Sequence, residues 1–381
     1  MPQFTIPAAV YRGGTSRGIF FHDKDLPRDA DMRKHIFLHG IDAWNLSQVD
    51  GLGAGTSHTA KCVVIAPPST PDAHADYTFV QVGIGRQVAD ARGTCGNLMS
   101  AAAAFAVDEG LVPLREGQDE ATVTLYDTNA AKELVLTVPL VDGKAKTGGE
   151  YSIPGIVRPG ARVRVEIRNP GGGKTGQALP FGPVTELETP HGAFAVSIVD
   201  MINPFVFVNA ADVGLTGADS FAELSVDAER LAVLNAIRDA ACVRLGWAKD
   251  ARDAAENSPA IPKVAVVGRP RAYTATSGAA IDENDVDIVT RALSMSRLHR
   301  TFPASGLYCL AGACLLPGTL PADLCRKTTS GPEHELRLGH PDGAAHVRAR
   351  SAGDGKGVES VGMDRTIRRI MRGMLYIPLT S

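Results

Sequence analysis

The sequence predicts an α+β chain built from two similar halves, and three observations carry that expectation. A short pattern occurs twice. Lys61-Cys62-Val63-Val64-Ile65-Ala66-Pro67 and Lys263-Val264-Ala265-Val266-Val267-Gly268-Arg269-Pro270 each set a lysine before a β-branched run that a proline closes, which reads as a strand. Downstream of each strand, a small-residue segment opens an apolar stretch rich in Ala and Gly: Thr94-Cys95-Gly96-Asn97 before residues 98–105, and Ala304-Ser305-Gly306 before residues 307–313. The 40 glycines and 24 prolines imply many turns and short strands, so strands should outnumber helices. With 381 residues and 44% hydrophobic content, the chain has material for two cores.

Taken in order, residues 4–21 read as strand, glycine turn, strand, with the anion-friendly turn at residues 12–18. Residues 25–41 read as a helix introduced by Leu26-Pro27 and ended by Gly40. Residues 49–57 form a hydroxyl-rich loop leading into the Lys61 strand. Residues 77–88 read as a strand and residues 96–109 as the alanine helix, which Gly110 closes. Alternation at 121–126 and 134–138 predicts a hairpin, and residues 169–176 are the plainest loop. The second half begins near Thr185 with strands at 194–199 and 205–208 joined by a turn at 200–204, echoing the opening of the chain. A helix over about 228–245, the Lys263 strand, a helix over 285–296, the Ser305 turn and a closing strand at 374–378 complete the reading. The lobe boundaries expected are 1–184, completed by 371–381, and 185–370.

Composition excludes several classes. A formal net charge of −3 with mixed signs leaves no basic face for nucleic acid. The longest apolar stretch, residues 307–320, is short and interrupted by Pro317, so no membrane span is expected, and the first seven residues lack the pattern of a secretory signal. Six cysteines without a CxxC pair, in a chain too large to need disulfide staples, point to the cytoplasm. Gly173-Lys174-Thr175 does not make a P-loop, because the earlier glycine is Arg168 and no helix follows. Residues 83–88 likewise fail the dinucleotide pattern. The histidines show no metal spacing, so no metal is expected. A homodimer is the expected assembly on symmetry statistics alone.

A duplicated half implies two lobes facing a cleft, with the N-termini of two helices directed at one another. Each exposes unpaired N–H groups and partial positive charge suited to a di- or tricarboxylate. Gly96 allows close backbone approach, Asn97 is placed to cap its helix, and Cys95 at a helix N-terminus has its thiolate favoured. An isolated cysteine before an alanine helix would read as structural. Beside this glycine, this asparagine and the repeat, it reads as an acid or base.

The motifs RGGTSRG at 12–18, DGLGAGTSHTAKCVVI at 50–65, TCGN at 94–97, MINPFVFV at 201–208, SMSRLHR at 294–300 and RTIRRIMRGMLYIP at 365–378 together resemble the PrpF family of allylic isomerases. The likeness runs over nearly the whole chain in the right order. It implies the diaminopimelate-epimerase-like fold: two pseudo-symmetric lobes, each a curved, mostly antiparallel sheet around a central helix, with substrate in the cleft and no cofactor. Members include 2-methylaconitate cis-trans isomerase, 4-oxalomesaconate tautomerase and 3-methylitaconate isomerase. The family's lysine falls on Lys61 and its cysteine on Cys95. The glycine turn matches Gly13, Gly14, Thr15 and Ser16, with Arg17 where the family often has lysine. Epimerases of this fold face a second cysteine at the first; here the counterpart is Ser305, too weak an acid for a two-thiol racemase.

The expected chemistry is proton transfer on an unsaturated di- or tricarboxylate, with Lys61 as base and Cys95 as the acid that returns the proton. For a given substrate these roles can exchange. Gly14, Thr15, Ser16, Ser57, Gly96, Asn97, Ser305, Gly306 and His299 are the candidate substrate contacts, and Lys263 is read as structural. Two other classes fit less well: a non-catalytic tricarboxylate-binding accessory to an aconitase-like hydratase, and an amino-acid epimerase.

Overall fold

The computed structural model describes residues 3–326, 331–353 and 357–379. Contacts within the chain divide it into two compact units, residues 1–166 with 364–381, and residues 167–363. The expected first boundary is 184/185. Residues 167–184 hold to the second unit because their loop is tied to Asp200. Gly172 donates its N–H to the Asp200 carbonyl (2.8 Å), the Asp200 N–H reaches the Ala178 carbonyl (2.9 Å), and the Asp200 carboxylate accepts from the N–H groups of Lys174 and Thr175. Residues 364–370 hold to the first unit, where Gly14 and Arg12 donate to the Thr366 carbonyl (2.9 and 2.8 Å) and Ile367 pairs with Gly13. The last two residues of the expected closing segment 371–381 lie outside the described residues.

In the first unit, β1 (Gln3–Gly13) and β2 (Ser16–His22) form a hairpin, β3 (Lys61–Ala66) runs parallel to β2, and β4 (Ala75–Val82) antiparallel to β3. The strand Glu120–Asp127 runs parallel to β4 and antiparallel to Lys132–Val141, while Ile367–Pro378 pairs with β1 on the other side. Helix α2 (Leu98–Asp108) packs against these strands with every residue buried, which its run of alanines permits because small side chains let strands approach on all sides. Helix α1 (Ala30–Ile41) covers the other face through a core of Ile6, Ile19, Phe21, Ile36, Ile41, Cys62, Val64 and Val80. Side chains alternate along a strand. Cys62 and Val64 therefore face α1, and Lys61 and Val63 face α2.

The second unit repeats this order of pairings. Gly192–Met201 and Asn203–Asn209 form a hairpin, Lys263–Gly268 runs parallel to the latter, Ile288–Ser294 antiparallel to that, and Glu333–His340 parallel again before pairing antiparallel with Gly343–Ser351. The buried helix Ala304–Leu315 corresponds to α2, and the helix Ala228–Arg244 packs on the strands through Leu234, Ile237 and Ala241. The sequence repeat is a repeat of topology.

Three element expectations are corrected. Residues 285–296 are not a helix but contain the strand Ile288–Ser294. Residues 288–293 are all buried, with 289–292 paired to Lys263–Gly268 and 288–289 to Glu333–His340, so no amphipathic period distinguishes them from a buried helix. Helix α1 begins only at Ala30, where Asp29 accepts from the Met32 N–H, and continues past Gly40 to a left-handed Asp42 (φ 66°). Strand β4 ends at Val82, because Gly83 turns the chain by bonding to the Val88 carbonyl (2.8 Å). Among the described residues no helix is long and apolar enough to cross a membrane.

Candidate active site

Lys61 stands at the first position of β3, where the β3–β4 register sets it opposite Gln81 and sets Val63 opposite Phe79. Its side chain is turned inward, only 8% exposed, with Nζ donating to Gln81 Oε1 (2.8 Å) and lying 4.8 Å from the centre of the Phe79 ring. Burial pushes the Lys61 pKa below its ordinary value, since the neutral amine is easier to desolvate than the ammonium. Cys95, whose negative charge when ionised favours the ammonium, pulls the other way.

Cys95 lies just before α2 and is also buried. Its carbonyl accepts from the N–H groups of Leu98 (3.1 Å) and Met99 (3.3 Å) and from the Tyr77 hydroxyl (3.0 Å), and its Sγ is 3.9 Å from Ser16 Oγ. Burial, with the Cys95 and Asp127 charges, pushes the Tyr77 pKa well above its usual range, so Tyr77 stays a donor. The preceding residue, Thr94, donates to Asp127 (2.6 Å), whose other carboxylate oxygen accepts from the N–H groups of Asn129 (2.9 Å) and Ala130 (3.1 Å). Asn129 clasps the Phe79 backbone through its N–H (2.6 Å) and carbonyl (2.9 Å). The Cys95 loop is thereby fastened to β4, the strand that also carries Gln81.

The glycine turn closes over the start of α2. At Gly14 (φ +50°), a Cβ would fall 2.2 Å from Asn97 Oδ1, so no larger residue fits with this backbone. Asn97 does not cap α2 with its side chain as expected. Its Nδ2 donates instead to Thr15 Oγ1 (2.9 Å) and Ser16 Oγ (3.4 Å), joining the turn to the helix start. The backbone N–H groups of Gly96 and Asn97 make no backbone hydrogen bond among the described residues, which leaves them open to an anion. Arg17 reaches back to the Leu52 carbonyl (2.9 Å) and holds the 51–57 loop, while the Ser57 carbonyl accepts from Gln81 Nε2 (3.2 Å).

Lys61, Cys95, Gly14, Thr15, Ser16, Ser57, Gly96 and Asn97 thus gather in the first unit. The remaining candidates lie in the second. Ser305 is buried in the first turn of its helix and accepts from Asn203 Nδ2 (2.9 Å). Gly306 donates its N–H to the Pro303 carbonyl (2.8 Å), and a Cβ there would strike the Phe205 ring at 2.4 Å, so close packing accounts for this glycine. His299 lies beyond the short strand Arg297–Leu298, where its Nδ1 accepts from the Thr301 N–H (3.2 Å). Lys263 Nζ bonds the Ala260 carbonyl. Among the described residues no cluster of His, Cys, Asp and Glu is placed to hold a metal ion.

Sequence reasoning missed Gln81, Tyr77, Asp127 and Asn129. For Gln81 a signal existed: one amide interrupts the apolar run Phe79-Val80-Gln81-Val82, and a buried amide needs partners.

The mixed α+β fold is of the epimerase-like class. At the level of fold alone it is shared with a probable proline racemase from Agrobacterium radiobacter K84 (TM-score 0.53, 14% identity, 98% of this chain and 93% of that one). The crystal structure of a methylitaconate-delta-isomerase is much more similar, with a TM-score of 0.79 at 38% identity over 99% of this chain and 96% of the other. The chain matches the family described as PrpF protein over residues 3–378, and it belongs to that family. Its relatives include a 3-methylitaconate isomerase from Eubacterium barkeri (38% identical, 98% of both chains) and a 2-methyl-aconitate isomerase from Shewanella oneidensis (33%, 99% of this chain and 98% of the other). A (4E)-oxalomesaconate Delta-isomerase from Novosphingobium is 30% identical over 97% of both chains. The protein is an isomerase.

Proposed function

We propose that the protein is a cytoplasmic, cofactor-independent allylic isomerase of an unsaturated di- or tricarboxylate, with Lys61 as base and Cys95 as acid. What supports this reading is a buried lysine, hydrogen-bonded to Gln81 and set over the Phe79 ring, whose pKa is lowered by desolvation and raised in opposition by the thiol that opens a buried helix. A neutral amine takes the proton from the carbon next to the double bond. The electron pair left behind delocalises through the alkene into a carboxylate or keto group, and the open N–H groups of Gly96 and Asn97 favour the resulting oxyanion. The Cys95 S–H then returns a proton to the other end of the allyl system, and transfer from the Lys61 ammonium to the thiolate restores both groups. Return to a different carbon shifts the double bond; rotation before return yields the geometric isomer. Thr15, Ser16 and Ser57 are placed to orient the carboxylates.

Similarity to the 3-methylitaconate isomerase makes that acid the first to test. Proton NMR in deuterium oxide across 3-methylitaconate, 2-methylaconitate, 4-oxalomesaconate and aconitate should show deuterium entering an allylic methyl or methylene of one of them. Lys61→Ala should abolish exchange while circular dichroism stays unchanged. Deuterium at Cα of an amino acid would establish an epimerase instead, and full partner-dependent function in Lys61→Ala would establish an accessory role.

A further inference from the structure

Gln81 stands across the β3–β4 ladder from Lys61 and is almost fully buried. Its amide is used at both ends. Oε1 accepts from Lys61 Nζ (2.8 Å), and Nε2 donates to the carbonyls of Ala60 (2.7 Å) and Ser57 (3.2 Å). Rotating the amide by half a turn would set its NH₂ against the lysine nitrogen and its oxygen against those carbonyls, so the neighbours dictate a single orientation.

We propose that Gln81 is the positioning residue of the proton-transfer site: it aims the Lys61 amine through a neutral acceptor and ties that aim to the Ser57 loop. This inference rests on the assignment of Lys61 as base. An amide oxygen is matched to that task because it accepts one N–H whether the lysine is an amine or an ammonium. A carboxylate at the same point would bind the ammonium far more strongly and hold the proton in place. The other groups around the pair do not supply such a countercharge from β4 or its neighbour. Phe79 presents a ring face, and Asp90, the cross-strand partner of Gln81 on its other side, is engaged by Arg92 at 2.7 Å. Cys95, from the loop before α2, is the titratable group that acts on the amine. Because Nε2 grips Ala60 and Ser57 together, displacing the amide would also release the loop that leads into β3.

The test compares Gln81→Glu and Gln81→Leu with the parent and with Lys61→Ala, using whichever acid is turned over. Each variant is checked by thermal melting, and the Lys61 Nζ resonance is followed by NMR of ¹⁵N-lysine protein. Gln81→Glu should raise the pKa of the Lys61 resonance and move the acidic limb of kcat/KM upward by about one pH unit or more. Activity near neutrality should then fall at least about tenfold, with recovery at high pH. Gln81→Leu, which removes the acceptor without adding charge, should lower kcat by an order of magnitude or more with no upward move of that limb. A wild-type limb and resonance in Gln81→Glu, or wild-type kcat in Gln81→Leu, would overturn the role of Gln81 while an inert Lys61→Ala leaves the base assignment standing. Full turnover by Lys61→Ala would remove the base assignment, and this inference with it.

Discussion

A lysine is a poor base in water because it stays protonated through the neutral range. In the proposed mechanism Lys61 escapes this by burial, which penalises its ammonium, while Gln81 supplies a hydrogen bond without charge. The sign of the pH dependence follows. The base works when deprotonated, so lowering its pKa extends activity toward neutral pH. The kcat/KM profile should therefore rise through an acidic limb below the ordinary lysine value, and loss of a general acid or base should cost about 10²–10⁴ in rate. Cys95→Ser keeps the size of the side chain but raises the acidity threshold for proton donation. We expect kcat to fall within that range while substrate binding, measured by calorimetry, changes less than tenfold. Unchanged kcat in Cys95→Ser would remove it as the acid.

At the scale of elements, the site is a product of how β4 is held. The same strand carries Tyr77, Phe79 and Gln81, and the turn after Glu120–Asp127 clamps it through Asn129 and holds Thr94 through Asp127. Asp127 is fully buried and accepts from Thr94, Asn129 and Ala130, so truncating it strands three donors. Asp127→Ala should destabilise the protein by about 2–4 kcal/mol in denaturant unfolding. It should also lower kcat, because the Cys95 loop loses its fastening. A destabilisation below about 0.5 kcal/mol would show that the network does not hold the loop.

At the scale of the molecule, the first unit is completed by the far end of the chain. Ile367–Pro378 pairs with β1 along the whole length of β1, from Gln3 opposite Pro378 to Gly13 opposite Ile367. Ending the chain after Thr366 would expose an entire edge of β1 and uncover part of the core that Leu375 and Ile377 share with α1. Such a truncation should lose the cooperative unfolding transition of the first unit, read as rapid proteolysis within residues 3–166, while fragments of the second unit persist. Equal protease resistance of truncated and full-length chains would contradict this dependence.

The sequence by itself determined the class of fold, the duplicated order of strand and buried helix and the family, and it put forward Lys61 and Cys95 as the pair proposed for proton transfer. Those rest on local patterns: a lysine before a β-branched run, an alanine stretch opened by Cys-Gly-Asn, and a glycine turn in the first strand pair. Tertiary structure alone decided that residues 288–294 form a strand, because the buried run 288–293 carries no period and only the neighbouring strands select the extended form. It also decided that Asn97 turns to Thr15 and Ser16 rather than to its own helix, and that Gln81 meets Lys61. Those contacts join residues 20 to 82 positions apart, and register and packing, which no short window of sequence contains, bring them within hydrogen-bonding distance.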